Sequence, residues 1–300
     1  MTNSAQSDLQ VLTLLQSSAQ LPAVGKDIGL FSLDDFIQEL SIHPYAAAYS
    51  TLLPAPTQHA LLSQCDNNPA EYFVSMLTAQ LVNAAQQVGD MPLYVRMTGA
   101  DSQARQSLLG AELEAAEVNP LLGQRGVSRY ADARFRHSFE LECEAIKRAR
   151  NDAGMKNIEL VIPFARTFSE AATVIDLLAE QGLCRGAQGL KVHLQVALPA
   201  NALLADKFLQ YFDGLVIDID QIAQFTLGLD LAHPALDYLY DRQNDAVIAL
   251  VKQALDAAMA VDKPCRVMSQ FIQSSPNWQA WLQEQGITRV ITYAASSDAE

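Results

Sequence analysis

The second half of the chain alternates short apolar runs with stretches of helical period, and few folds accept that pattern. Residues 158–162, 190–198, 215–219, 265–268 and 289–293 each read as a strand rich in Val, Ile and Leu. Helical periodicity fills the intervals between them: 131–151, a helix capped by Ser169, 203–211, most of 235–260, and 276–286. Strict alternation of this kind means parallel strands joined by helical crossovers. The first half follows it more loosely. Residues 70–88 carry apolar side chains at Tyr72, Phe73, Met76, Leu77, Leu81 and Ala84, a helix started by Asn68-Pro69. Residues 91–97 and 27–30 read as strands, 44–69 as loop and short helix, and 1–25 as a leading helix and loop. That makes seven strands, with an eighth expected near 123–128. Eight units close most economically into an α/β fold of the (β/α)8 barrel type, an open doubly wound sheet being the competitor. The expected organisation is an extension over 1–25, a barrel over 26–295 and an acidic tail over 296–300.

A length of 300 residues suits one such barrel, and half of them are hydrophobic, enough for a large core. The net charge of −14 repels phosphate backbones and anionic lipid, so neither nucleic acid nor membrane is expected as a partner. No apolar run reaches membrane-spanning length and no signal sequence is legible, which points to the cytoplasm. Cys65, Cys143, Cys184 and Cys265 lack metal-like spacing and read as reduced thiols. No Gly-rich phosphate loop follows any strand.

Eight ordered blocks carry a more specific signal. They are Asn119-Pro-Leu-Leu-Gly-Gln-Arg-Gly-Val-Ser-Arg-Tyr130, Leu141-Glu-Cys-Glu-Ala-Ile-Lys-Arg-Ala-Arg150, Glu159-Leu-Val-Ile-Pro-Phe-Ala-Arg-Thr167, Gly189-Leu-Lys-Val192, Tyr211-Phe-Asp-Gly214, Gln224-Phe-Thr-Leu-Gly-Leu-Asp230, Tyr240-Asp-Arg-Gln-Asn-Asp-Ala246 and Trp281-Leu-Gln-Glu-Gln-Gly-Ile287. Together they resemble the C-terminal phosphoenolpyruvate/pyruvate-binding barrel of phosphoenolpyruvate synthase, over roughly residues 25–293. The resemblance implies a barrel of that type, a phosphoenolpyruvate- or pyruvate-like ligand, Mg²⁺ as cofactor, and assembly as a homodimer or with a partner protein. The swivelling phosphohistidine domain and the ATP-grasp domain of that family have no counterpart in these 300 residues.

Family chemistry needs arginine clamps for the oxyanions, a divalent metal and a proton donor facing the enolate. The family arginine of a Gly-Leu-x-Arg block falls on Ser32 in Gly29-Leu30-Phe31-Ser32. A second arginine matches Arg96, but the Asp-Phe-Lys that should follow reads Gly99-Ala100-Asp101. The metal-binding Glu position is Ala197, the metal-binding Asp position is Gln221, and the proton-donating Cys position is Met268. Cys265, an odd number of residues away on the same strand, faces the other way and is not expected to substitute.

What remains has two readings each. Arg96, Arg125, Arg129 and Arg166, with Gln224 and Gln270, are candidate anion contacts, or the arginines brace acidic neighbours. Asp218 and Asp220 are a candidate relocated metal site, or helix caps. His193 is a hydrogen-bonded core histidine or a base. Met268 with Phe31 and Phe271 suggests a mouth refilled with apolar bulk. The functional expectation is a non-catalytic binding or regulatory relative. The alternative is a re-tooled phosphotransferase or lyase acting on phosphoenolpyruvate, pyruvate or a related α-keto acid, with Mg²⁺ at Asp218 and Asp220.

Overall fold

The computed structural model describes residues 9–241 and 243–293. The acidic tail expected at 296–300 lies outside them. Eight parallel strands close into a barrel in sequence order: β1 Gln10–Leu15, β2 Ile28–Ser32, β3 Leu93–Arg96, β4 Ile158–Ile162, β5 Val192–Val196, β6 Leu215–Asp218, β7 Cys265–Met268 and β8 Arg289–Tyr293. The open sheet is thereby excluded. Closure is made by β1 against β8, in a register running from Gln10 beside Arg289 to Leu14 beside Tyr293.

Two expectations fail here, for related reasons. The stretch assigned to a leading helix contains β1, so the barrel reaches back beyond residue 26. Its run Val11-Leu-Thr-Leu-Leu15 is short and β-prone, but it pairs with β8 at the far end of the chain as well as with β2, and no local pattern could reveal that closure. The strand expected at 123–128 does not form. Those residues are loop leading into the helix Val127–Ala131. Gly126 adopts φ 53°, and a Cβ there would lie 2.4 Å from the carbonyl oxygen of Pro163. Only glycine fits that approach, and it breaks any strand.

Helices cover the barrel where the sequence caps them. Asn68 accepts from the Glu71 amide and Pro69 occupies the first position of the helix Pro69–Val88, whose buried face is Phe73, Val74, Leu77, Leu81, Ala84, Ala85 and Val88. The helix Phe168–Glu180 is capped by Thr167 rather than Ser169. The Thr167 hydroxyl accepts from the Glu170 amide at 3.1 Å, and Ser169 falls in the first turn. Strand alternation then separates two apolar layers. The larger lies between strands and helices. The smaller fills the barrel with Leu12, Leu14, Leu30, Tyr94, Val161, Val216, Met268 and Ile291, so the interior is packed, as expected of this architecture. Phe31 belongs to the outer layer and stacks on Phe36, with ring centroids 4.0 Å apart. It is therefore not part of any plug, since its neighbours Leu30 and Ser32 face inward.

Candidate functional site

Sites on such barrels are built at the C-terminal ends of the strands. Here those ends supply Ser32 from β2, Arg96 from β3, Ala197 just after β5, Asp218 from β6, Met268 from β7 with Ser269 just after it, and Tyr293 from β8. The first helix after β2, Leu33–Leu40, carries Asp34 and Asp35 in its opening turn.

Arg96 points into an acidic ring. Its Nη2 donates to the Ser32 hydroxyl at 2.8 Å and lies 3.8 Å from an Asp35 oxygen. Burial disfavours its charge, but Asp34, Tyr293, Asp35 and Asp218 outweigh that and raise its pKa. Asp34 turns its carboxylate to the loop after β3 and accepts from the Gly99 amide at 2.8 Å and the Ala100 amide at 3.1 Å. Ser32, expected from the resemblance at the position of a family arginine, is thus the hydroxyl that receives Arg96.

The other three arginines brace the long segment between β3 and the helix Arg136–Lys147. Arg125 donates to the carbonyls of Gly99 at 2.9 Å and Leu121 at 3.0 Å and lies 3.8 Å above the Phe164 ring. Burial lowers its pKa to about 10. Arg166 donates to the Gly123 carbonyl at 2.6 Å and the Ser128 hydroxyl at 3.0 Å, with Glu170 at 3.7 Å. Arg129 grips Glu114 with both guanidinium nitrogens and stacks on Phe135 at 3.8 Å. Glu114 also receives His43 at 2.8 Å and faces Arg105 at 3.6 Å.

Asp218 and Asp220 sit either side of a strand-to-helix junction, so strand alternation does not hold them on one side. Asp218 caps the helix Ile219–Leu227 by accepting from the Gln221 amide at 3.1 Å, and its other oxygen accepts from Gln195 at 2.8 Å. Burial, then the charge of Asp220, pushes its pKa up to about 6. Asp220 accepts from the Tyr240 and Ser269 hydroxyls at 2.9 and 3.0 Å and from the Gln270 amide at 2.8 Å. Ala197 is fully buried and Gln221 contributes no charge. Among the described residues, no three His, Cys, Asp or Glu side chains come together as a metal site.

Met268 is sealed inside the barrel, while Phe271 lies on the rim near Tyr240, with ring centroids 6.2 Å apart. Cys265 packs in the outer layer, opposite in facing to Met268. His193 is buried, 2.7 Å from Glu159 and stacked on Tyr94. The Gln270 side chain is exposed, and Gln224 accepts from the Leu231 amide at 3.2 Å. Gln224 also borders a cavity of about 860 Å³ beside the mouth, with Asp101, Asn119, Phe225 and His233 among its walls.

Sequence reasoning missed Asp34, Glu114 and Glu142. The signal for Asp34 was present in Ser32-Leu-Asp-Asp35, an acidic first turn directly after a strand. Glu142 lies beneath the braced segment, accepting from the Thr98 hydroxyl at 2.7 Å and the Thr98 amide at 3.4 Å, and burial raises its pKa to about 7. Between the unfolded value of 4.5 and about 7 the folded chain holds a proton that the unfolded chain has released. Stability therefore falls as pH rises through that window. Glu142→Gln removes the effect, and urea denaturation at pH 8 is expected to find the variant more stable by on the order of 2 kcal/mol, with the gain vanishing near pH 5. Equal gains at both pH values would show that the proton plays no part.

Comparisons with known proteins agree with the fold and sharpen the family. The family described as "PEP-utilising enzyme, PEP-binding domain" matches residues 29–296. Phosphoenolpyruvate synthase of Pseudomonas aeruginosa is 38% identical over 276 residues, covering 91% of this chain and 35% of that protein. The Escherichia coli phosphoenolpyruvate synthase is also 38% identical, over 273 residues, covering 90% of this chain and 34% of that protein. The chain thus spans about a third of the length of these relatives. Among solved structures, a HpcH/HpaI aldolase/citrate lyase family protein from Burkholderia cenocepacia aligns with a TM-score of 0.51 at 13% identity, over 97% of this chain and 90% of that one, a likeness of fold alone. No helix among the described residues is long and apolar enough to cross a membrane.

Proposed function

The chain belongs to the PEP-utilising enzymes through their PEP-binding domain, and from that premise we propose that it is a non-catalytic member, a barrel that acts by binding rather than by phosphoryl transfer. The observation that carries this reading is the charge balance at the mouth. Arg96 is the one candidate arginine not committed to the segment after β3, and it faces Asp34, Asp35 and Asp218. A phosphoenolpyruvate trianion entering there would meet more carboxylate than guanidinium, in a place where low dielectric strengthens the repulsion.

The donor set argues the same way for Mg²⁺. That ion demands a near-octahedral shell of oxygens and is usually held by carboxylates with free lone pairs. Asp218 and Asp220 have each oxygen engaged by a hydroxyl, an amide or Gln195, and Ala197 offers none. The residues present do not fit the ion, which also weighs against a re-tooled Mg²⁺ phosphotransferase or lyase at the same two aspartates. Met268 stands at the family's acid position, and its thioether has no proton to give. Such a barrel would exert its effect in an assembly, with a second copy of itself or with a full phosphoenolpyruvate synthase. The reading is tested by titrating the protein with phosphoenolpyruvate and with pyruvate, and Mg²⁺ is expected to make no difference to either.

A further inference from the structure

The opposite end of the barrel also carries charge. At the N-terminal ends of the strands a cavity of about 340 Å³ is bordered by Tyr94, Glu159, Lys191, Arg266 and Arg289, with Pro92, Pro264 and Ile287 as its apolar wall. Three cations therefore face one carboxylate in a chain of net charge −14. The carboxylate is already engaged, for Glu159 is bonded to His193 at 2.7 Å and lies 3.7 Å from Lys191.

Arg266 is the built element. It is 8% exposed, its guanidinium lies 3.6 Å above the Tyr94 ring, and its Nη1 donates to the Gly29 carbonyl at 2.7 Å. The aromatic face and the carbonyl fix the fork in place and leave its remaining N–H groups without a carboxylate partner. Among the described residues, neither Arg266 nor Arg289 forms an ion pair. Burial lowers the Arg266 pKa, Tyr94 and Glu159 oppose it, and repulsion from the Arg289 guanidinium adds to the lowering. Two arginines that share one carboxylate, itself already bonded to His193, cost free energy that an anion between them would offset.

We propose that this floor is a binding site for a dianionic phosphate group, gripped by Arg266 and Arg289 with Lys191 at the rim. Arginine forks match phosphate oxygens bidentately, and the Tyr94 and Thr288 hydroxyls on the same wall can donate to it. The cavity extends past one phosphate to the Pro92, Pro264 and Ile287 wall, which suits the organic part of a phosphomonoester. The site lies at the far end of the barrel from Arg96 and Asp218, so it is independent of the reading proposed for the mouth.

The test is calorimetric titration of the whole chain with inorganic phosphate and with phenyl phosphate at low ionic strength, on the wild type, Arg289→Ala, Arg289→Glu and Lys191→Glu. Both altered residues are exposed, so the variants are expected to fold, and a circular dichroism spectrum checks it. Saturable binding is expected in the wild type, weakened about tenfold by Arg289→Ala and lost in both charge reversals. Phenyl phosphate binding more tightly than phosphate identifies a phosphomonoester, and equal affinity identifies the free anion. Absence of saturable binding in the wild type overturns the proposal, as does binding that survives both Arg289→Glu and Lys191→Glu.

Discussion

Glu114→Ala is expected to destabilise the protein by about 3–5 kcal/mol, the cost of stripping the counter-charge from buried cations. Glu114 is the hub on which the segment between β3 and the helix Arg136–Lys147 is fastened. Arg129 grips both of its oxygens, His43 bonds to it at 2.8 Å, and Arg105 stands 3.6 Å away, almost wholly buried. Burial alone would raise the Glu114 pKa, but His43, Arg129 and Arg105 overcome it and hold the carboxyl at about 2. A carboxyl depressed below its unfolded value contributes stability above pH 4.5 that is lost as pH falls toward 2. The alanine variant should therefore lose most of its deficit relative to wild type in acid. Urea denaturation at pH 7 and pH 3 measures both. A cost below about 1 kcal/mol at pH 7 would mean that water reaches these guanidiniums and that the segment is not braced through Glu114.

Met268→Ala is expected to cost about 2–5 kcal/mol, because the side chain is fully buried inside the barrel at the C-terminal end of β7 and its neighbours are strand residues that cannot close in. It packs with Leu14, Leu30, Val216 and Ile291, and β7 presents it on the inner face. The same burial bears on function. Met268→Cys restores the acid that the family places there, yet it is expected to restore no turnover, since Ala197 and Gln221 still supply no metal ligand and Arg96 still faces carboxylates. It should be milder in stability than Met268→Ala. Turnover of phosphoenolpyruvate chemistry on this single change would show that the mouth had kept everything but the acid.

The barrel was legible because its strands after residue 157 are short, apolar and separated by capped helices, so local period and fold agree. β1 was not, because Gln10–Leu15 is a strand through its pairings with β2 and, across the whole length of the chain, with β8. The strand expected at 123–128, within the segment 98–135, was misread for the converse reason. Its order comes from arginines donating to backbone carbonyls, such as Arg125 to Gly99 and Arg166 to Gly123, and those contacts leave no periodic trace. At the mouth, the replacements at Ser32, Ala197, Gln221 and Met268 could be read position by position from the resemblance. Their consequence could not, because it depends on the charges of Asp34 and Asp35 after β2 and of Asp218 at the end of β6 acting together on Arg96. Residue type left Arg125, Arg129 and Arg166 with two readings, anion contact or brace; their partners in the structure are backbone carbonyls, the Ser128 hydroxyl and Glu114.

The central claim is that the mouth no longer assembles a metal-dependent phosphoenolpyruvate site, and calorimetric titration of the wild-type chain with phosphoenolpyruvate and with pyruvate, each with and without Mg²⁺, addresses it most directly. The account predicts that adding Mg²⁺ changes neither isotherm. Binding that appears or tightens only when Mg²⁺ is present, and that is lost in Asp218→Asn, would contradict it, because the aspartates would then be ligands rather than a helix cap and a clamp.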